Sequence, residues 1–272
     1  MDQGVGNLAV TARPALGHLD DLAESGAVRR IHPAVGPFTS GGDDSEVVDN
    51  DGLDQLYGGE RPVAEGRPWV GLCMIASLDG STVVNGRSGR LGNDGDRAVF
   101  SALRRAADTI IVGSATARAE AYRAPRQAGQ RIGVVTSTGD VDRSTDLFDA
   151  GAGFLMMPTD GPPAPTGIDV VRAGKGRVNL ALALARLDSV MEPPRFVQSE
   201  GGSRLNGALL DAGCVDELNL SCSPVMAGGD GNRLVTGAAV TWVGYLPAHV
   251  LIDDDGYLFT RWVRRSSGPD RR

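Results

Sequence analysis

Apolar residues along this chain follow two rhythms, and both become regular only from Arg67 onward. Trp69–Ser77 is a continuous apolar run of strand length, the pattern of a strand buried on both faces. In Asp94–Ala107 the residues Ala98, Val99, Ala102, Leu103 and Ala106 recur at helical spacing behind a capping Asp. Short apolar runs at Thr109–Val112, Ile132–Thr136, Phe154–Met157, Ile168–Val171, Arg195–Ser199 and Glu217–Ser221 predict further strands. Asn179–Val190 and Ser203–Ala212 predict helices. Near the end, Val240–Tyr245, His249–Ile252 and Tyr257–Val263 are strand-like. Asp253-Asp254-Asp255-Gly256 is a turn that folds the last two runs into an antiparallel hairpin. Strands alternating with helices predict an α/β protein: a mostly parallel sheet flanked by helices and closed by antiparallel strands.

The first 65 or so residues read differently. They are rich in Gly, Asp, Pro and Ser, and Ser40-Gly41-Gly42-Asp43-Asp44-Ser45 has linker composition. A short helix is expected around Leu16–Val28, and Leu53–Tyr57 as an arm packed on the main domain. The expected organisation is a flexible extension over residues 1–52, one domain over 53–264 and a disordered tail over 265–272.

Composition narrows the function. The chain has 272 residues, enough for one large domain with a sizeable core. Its net charge of −7 argues against a general nucleic-acid binder, which needs basic surface to displace counterions. Its three cysteines, Cys73, Cys214 and Cys222, form no C-x-x-C pair and read as buried free thiols of a reducing compartment. The three histidines are scattered and no Cys/His cluster exists, so no metal site is expected. No apolar run is long enough to span a membrane, and the N-terminus lacks a secretory pattern. A cytoplasmic protein is expected.

Four segments at strand ends carry candidate chemistry. In Ser199-Glu200-Gly201-Gly202-Ser203 a strand gives way to a helix through two glycines. This is either a plain turn or a place where backbone and helix-start N–H groups approach a phosphate, with Glu200 facing the crevice beyond the strand. Val112-Gly113-Ser114-Ala115-Thr116-Ala117-Arg118-Ala119-Glu120 also follows a strand. Gly113 permits close approach and Ser114 and Thr116 offer donors. Arg118 and Glu120 either reach a polar ligand or pair in solvent. Asp79, in Ser77-Leu78-Asp79-Gly80, is a turn residue or the acceptor for an aminopyrimidine edge. Thr136-Ser137-Thr138-Gly139 is a polar turn or a contact for an adenosine 2′-phosphate, with Arg131 or Arg143 nearby. Of Arg97, Arg104 and Arg105 on the predicted helix, Arg97 is the candidate to hold an anionic substrate. No G-x-S-x-G elbow and no phosphate-loop lysine motif is present, which removes support from serine-hydrolase and triphosphatase readings.

Taken together and in order, Ser77-Leu78-Asp79-Gly80, Val112–Arg118, Ser199-Glu200-Gly201-Gly202, Val215-Asp216-Glu217-Leu218, Ser223-Pro224 and Gly228-Gly229 resemble the reductase domain of the bifunctional deaminase/reductase of riboflavin biosynthesis. The resemblance runs from about Leu53 to Arg264, and Asp255-Gly256-Tyr257-Leu258-Phe259-Thr260-Arg261 looks closest to stand-alone actinobacterial members. It implies a dihydrofolate-reductase-like fold, a homodimer and NADPH as hydride donor. It assigns the cofactor to Gly113, Ser114 and Thr116 and to Gly201 and Gly202, and the substrate to Asp79 and Glu200, which are also the expected catalytic carboxylates. To these the reading of the residues themselves adds Thr136, Ser137 and Ser203 as cofactor candidates and Arg97, Arg118 and Glu120 as substrate candidates. The implied substrate is a ribosylaminopyrimidine 5′-phosphate, whose ribose is reduced to ribityl. The zinc motif of the family's deaminase half does not occur in this sequence, so no deamination is expected of it. The family's Asp-Asp-Pro is replaced by Glu120-Ala121-Tyr122. That change leaves two rival readings open: a dihydrofolate or other pterin reductase, and a non-catalytic NADPH-binding relative.

Overall fold

The computed structural model describes residues 28–32, 47–62 and 66–265. The described residues start with two short strands, β1 (Val28–His32) and β2 (Val47–Val48), and helix α1 (Asn50–Gly58). Then come β3 (Trp69–Ser77), α2 (Asp94–Ala106), β4 (Thr109–Gly113), α3 (Ser114–Ala119), β5 (Arg131–Val135) and α4 (Asp146–Asp149). The second half holds β6 (Gly153–Met157), β7 (Val170–Arg172), α5 (Leu180–Leu184), β8 (Phe196–Ser199), α6 (Ser203–Asp211), β9 (Glu217–Ser223), β10 (Tyr245–Ile252) and β11 (Leu258–Arg264).

The eleven strands among the described residues form one sheet in the order β2-β1-β10-β11-β9-β3-β8-β4-β5-β6-β7. From β9 to β7 every neighbouring pair is parallel. The pairs from β2 to β9 are antiparallel, including the expected β10–β11 hairpin. The fold class expected from the sequence is the observed one.

The central strands β4 and β6 are almost wholly apolar and buried because both faces are covered. Alternate residues point to opposite faces. Ile111, Phe154 and Met156 join Leu180, Leu184, Leu205 and Leu209 of α5 and α6 on one side. Ile110, Val112, Leu155 and Met157 join Leu147 of α4 on the other. A third cluster sets Leu53 and Tyr57 of α1 against Val99 and Leu103 of α2 and Phe259 of β11.

Several boundaries differ from expectation for local reasons. The cap of α2 is Asn93, whose side chain accepts from the Asp96 amide at 3.0 Å, and Asp94 is the first helical residue. The helix expected over Asn179–Val190 ends at Leu184 and resumes only as a 3-10 turn at Leu187–Ser189. Ser114–Ala119, outside the helices expected from the sequence, is a short helix. Residues 240–244 are not strand; the strand starts at Tyr245. Val28 opens a strand instead of closing a helix, and the rest of the expected Leu16–Val28 helix lies outside the described residues. Of the stretch expected as a flexible extension, the described residues 28–32 and 47–52 take part in the fold. β1 pairs with β10, and α1 begins at Asn50 behind the cap Asp49. Of the expected tail, only Arg265 is described, its N–H donating to the Gly244 carbonyl at 2.9 Å.

Candidate active site

One large cleft, of about 1380 Å³, opens at the carboxyl ends of the parallel strands, where ligands of such sheets bind. Gly113, Ser114, Thr116, Thr136, Ser137, Gly202 and Ser203 all line it. Gly201 stands just behind, its carbonyl accepting from the Gly113 N–H at 2.7 Å. That bond clamps the turn after β4 to the turn after β8, the strand beside it. Glycine is required at this junction. A Cβ on Gly202 would lie 2.6 Å from Thr116 Oγ1, and Gly201 has φ +80°. The wall is thus bare backbone, hydroxyls and the start of α6, a donor set that suits a phosphorylated cofactor. A nicotinamide dinucleotide fits these residues chemically.

Three cations in the lining are new: Lys175, Arg177 and Arg204. The sequence signal was the run Gly174-Lys175-Gly176-Arg177, glycines alternating with cations directly after a strand. The arginines proposed beside Thr136 are not in the cleft. Arg131 lies at the amino end of β5, the opposite end from Thr136, and pairs with Asp169 at 2.8 Å. Arg143 is also absent from the lining.

Neither expected catalytic carboxylate lines the cleft. The Glu200 side chain is only 2% exposed. Arg104 donates to it through Nε and Nη2, each at 2.7 Å, Tyr122 Oη at 2.5 Å and Gln198 Nε2 at 2.8 Å. Burial works against the Arg104 charge, but the hydrogen bond and charge of Glu200 outweigh it and push the guanidinium pKa up. Burial, reinforced by the Glu200 charge, pushes the Tyr122 phenol well up as well. Asp79 is exposed and accepts from Ser77 Oγ at 2.5 Å and from the amides of Ala227 at 3.0 Å and Gly228 at 2.7 Å. These bonds, Ser77 first, hold its carboxyl at about 2. Asp79 therefore ties the turn after β3 to the loop after β9.

The remaining expected substrate residues are dispersed. Arg97 is exposed and pairs with Asp94 on its own helix. Arg118 pairs with Asp140 at 3.1 Å on the surface. Glu120 accepts from the amide of Ser88 at 2.9 Å and its hydroxyl at 3.0 Å. Of the three helix arginines it is Arg104, not Arg97, that meets a site motif, while Arg105 pairs with Asp54 at 2.5 Å.

A strap over residues 225–239 covers one flank. Leu78 N–H donates to the Val225 carbonyl at 2.8 Å, Thr82 N–H to that of Asn232 at 2.8 Å, and Thr236 N–H to that of Ser203 at 3.1 Å. Asn232, Thr236 and Gly237 complete the cleft wall. All three cysteines are free; Cys214 is buried and the other two are partly buried.

A mostly parallel α/β sheet with a large cleft at its strand ends, walled by glycine turns, hydroxyls and cations, is the class of protein that the fold and the site define. Its lineage is specific. The chain belongs to the RibD C-terminal domain family, whose model matches residues 68–251. It is 30% identical over 191 residues to the 2,5-diamino-6-ribosylamino-4(3H)-pyrimidinone 5′-phosphate reductase of Methanothermobacter thermautotrophicus, covering 64% of this chain and 86% of that one. It is 29% identical over 182 residues to the riboflavin biosynthesis protein RibD of Bacillus amyloliquefaciens, covering 60% of this chain and 47% of the relative, so it spans about half of that protein. A pyrimidine reductase-like protein of Corynebacterium diphtheriae shares the fold, with a TM-score of 0.67 at 21% identity over 79% of this chain and 99% of that one. These relatives place the chain among oxidoreductases. No helix among the described residues is long and apolar enough to cross a membrane.

Proposed function

We propose that this chain is an NADPH-dependent pyrimidine reductase that reduces the ribose-derived carbon of a ribosylaminopyrimidine 5′-phosphate, such as 5-amino-6-(5-phosphoribosylamino)uracil, to the ribityl level. The observation that carries the reading is the convergence of three separated motifs, after β4, β5 and β8, on one cleft in a chain of this family. NADPH, when bound, supplies the hydride. The chain's part is binding, orientation and exclusion of water. Gly113–Thr116 and Gly202–Ser203 hold the phosphates by backbone and hydroxyl donors. Glu200 acts as a positioning residue: it fixes Arg104 and Tyr122 behind the glycine turn. Asp79 holds the 225–229 loop that borders the reacting end. The same reading has the protein working in the cytoplasm as a homodimer.

The test is NADPH oxidation with a ribosylaminopyrimidine 5′-phosphate and, in parallel, with dihydrofolate. Turnover with the pyrimidine alone is expected. Turnover with dihydrofolate alone would replace this reading by a pterin reductase, and NADPH binding without turnover on either would make the chain a non-catalytic relative.

A further inference from the structure

We propose that the loop Gly174-Lys175-Gly176-Arg177 is a second anion subsite of the cleft, which takes the 2′-phosphate of the cofactor's adenosine and so selects NADPH over NADH. The inference rests on the cofactor reading above and deepens it.

Other described arginines, Arg87 and Arg123 among them, lack an ion pair, so what marks the loop is that its cations are both without an ion pair and part of the cleft lining. Arg97, Arg104, Arg105, Arg118 and Arg131 each have a carboxylate partner. Lys175, Arg177 and Arg204 have no ion pair among the described residues, although the chain carries an excess of acid. All three line the same cleft. The one carboxylate lining it, Asp211, accepts instead from the Ala239 N–H at 2.9 Å.

The loop is held from behind. Gly174 has φ +83°, and a Cβ there would meet the Arg177 carbonyl at 2.4 Å, so no other residue fits without moving the turn. Its carbonyl accepts from the Thr159 amide at 2.8 Å and hydroxyl at 2.6 Å. The Gly176 N–H donates to Asp160 Oδ1 at 2.7 Å. The backbone is thus fixed against the β6–β7 connection, and the Lys175 and Arg177 side chains are left exposed at the cleft.

Position separates this subsite from the glycine turn. Arg204 follows Gly202-Ser203 directly and belongs with that turn. Lys175 and Arg177 follow β7, two strands beyond β5 and its Thr136–Ser137 turn. Two strand spacings are about 10 Å, a gap that long Lys and Arg stems span from one side. Two cationic groups there match a phosphate monoester dianion, with the guanidinium fork able to take two oxygens at once. A bare 2′-hydroxyl offers them no charge.

The test is calorimetric binding of adenosine 2′,5′-bisphosphate and of 5′-AMP to the full chain, which differ only in the 2′-phosphate. The unmodified protein is expected to bind the bisphosphate at least tenfold more tightly. Lys175→Ala/Arg177→Ala should erase that ratio and leave 5′-AMP affinity unchanged, whereas Arg204→Ala should weaken both probes alike. Equal binding of both probes by the unmodified protein, or discrimination that survives the double substitution, would overturn the subsite while leaving the cofactor reading standing. Failure of the folded, unmodified protein to bind either probe would remove the cofactor reading, and the subsite with it.

Discussion

Arg104 grips Glu200 with two hydrogen bonds of 2.7 Å, and Tyr122 closes the remaining side at 2.5 Å. The carboxylate at the end of β8 is therefore a buried anchor. Breaking such a pair from one side costs more than losing one neutral donor, because it strands the other charge. Glu200→Gln is expected to destabilise the fold by about 3 kcal/mol, and Tyr122→Phe by about 1.5 kcal/mol, the worth of one hydrogen bond to a charged group. Urea denaturation at neutral pH checks both. The reverse ranking would mean that Tyr122, not the ion pair, anchors the site.

Gly207 sets two effects against each other. In the middle of α6, alanine improves helix propensity by about 1 kcal/mol. A Cβ there would also lie 2.1 Å from the Thr236 carbonyl, a backbone atom of the strap that cannot swing away. The clash is the larger effect, about 1–3 kcal/mol for overpacking. Gly207→Ala should lower Tm and weaken NADPH binding together; a raised Tm would show that the strap is free to lift.

Glu217 sits at 0% exposure between Arg61 at 3.2 Å and Arg261 at 2.9 Å. Burial alone would raise its pKa, but the two guanidiniums, Arg261 first, outweigh burial and hold it below the usual carboxylate range. A depressed native pKa means the unfolded chain binds the proton first. The stability Glu217 contributes is complete above its unfolded pKa of about 4.3 and is lost as pH falls through the native value. Glu217→Gln should cost about 3–5 kcal/mol near pH 7 and flatten the decline in stability below about pH 4.3. Chemical denaturation across pH 3–7 reads both effects, and an unchanged slope would count against the assignment.

Asp79 is an exposed fastener, so its effect is local. Asp79→Asn removes the negative acceptor for the amides of Ala227 and Gly228. Hydrogen exchange at those two amides should speed up several-fold while exchange in β5 and β6 is unchanged. KM for the pyrimidine should rise more than kcat falls. Uniformly faster exchange would show that Asp79 supports the whole fold.

The parallel core was legible because its strands are buried on both faces and need no subtler signal than an apolar run. The α2 pattern was equally plain. The cleft was legible in part: glycines and hydroxyls at Gly113–Thr116, Thr136–Ser137 and Gly202–Ser203 announce backbone that approaches a ligand. The carboxylates were not. Which arginine of α2 turns toward Glu200 depends on helix rotation against β8, and only Arg104 reaches it. The share of β1, β2 and α1 in the sheet was also hidden, because β1 takes its place by pairing with β10, more than two hundred residues further along the chain.

That pairing leaves the sheet with unusual margins. Its outermost strands, β2 and β7, are two and three residues long. A long bare margin is a template on which a foreign chain can dock its own backbone, the first step toward fibres. Among the described residues, each of these two border strands offers only a few amides and carbonyls to such a visitor. Short borders thus guard so wide a sheet against indiscriminate edge-to-edge stacking.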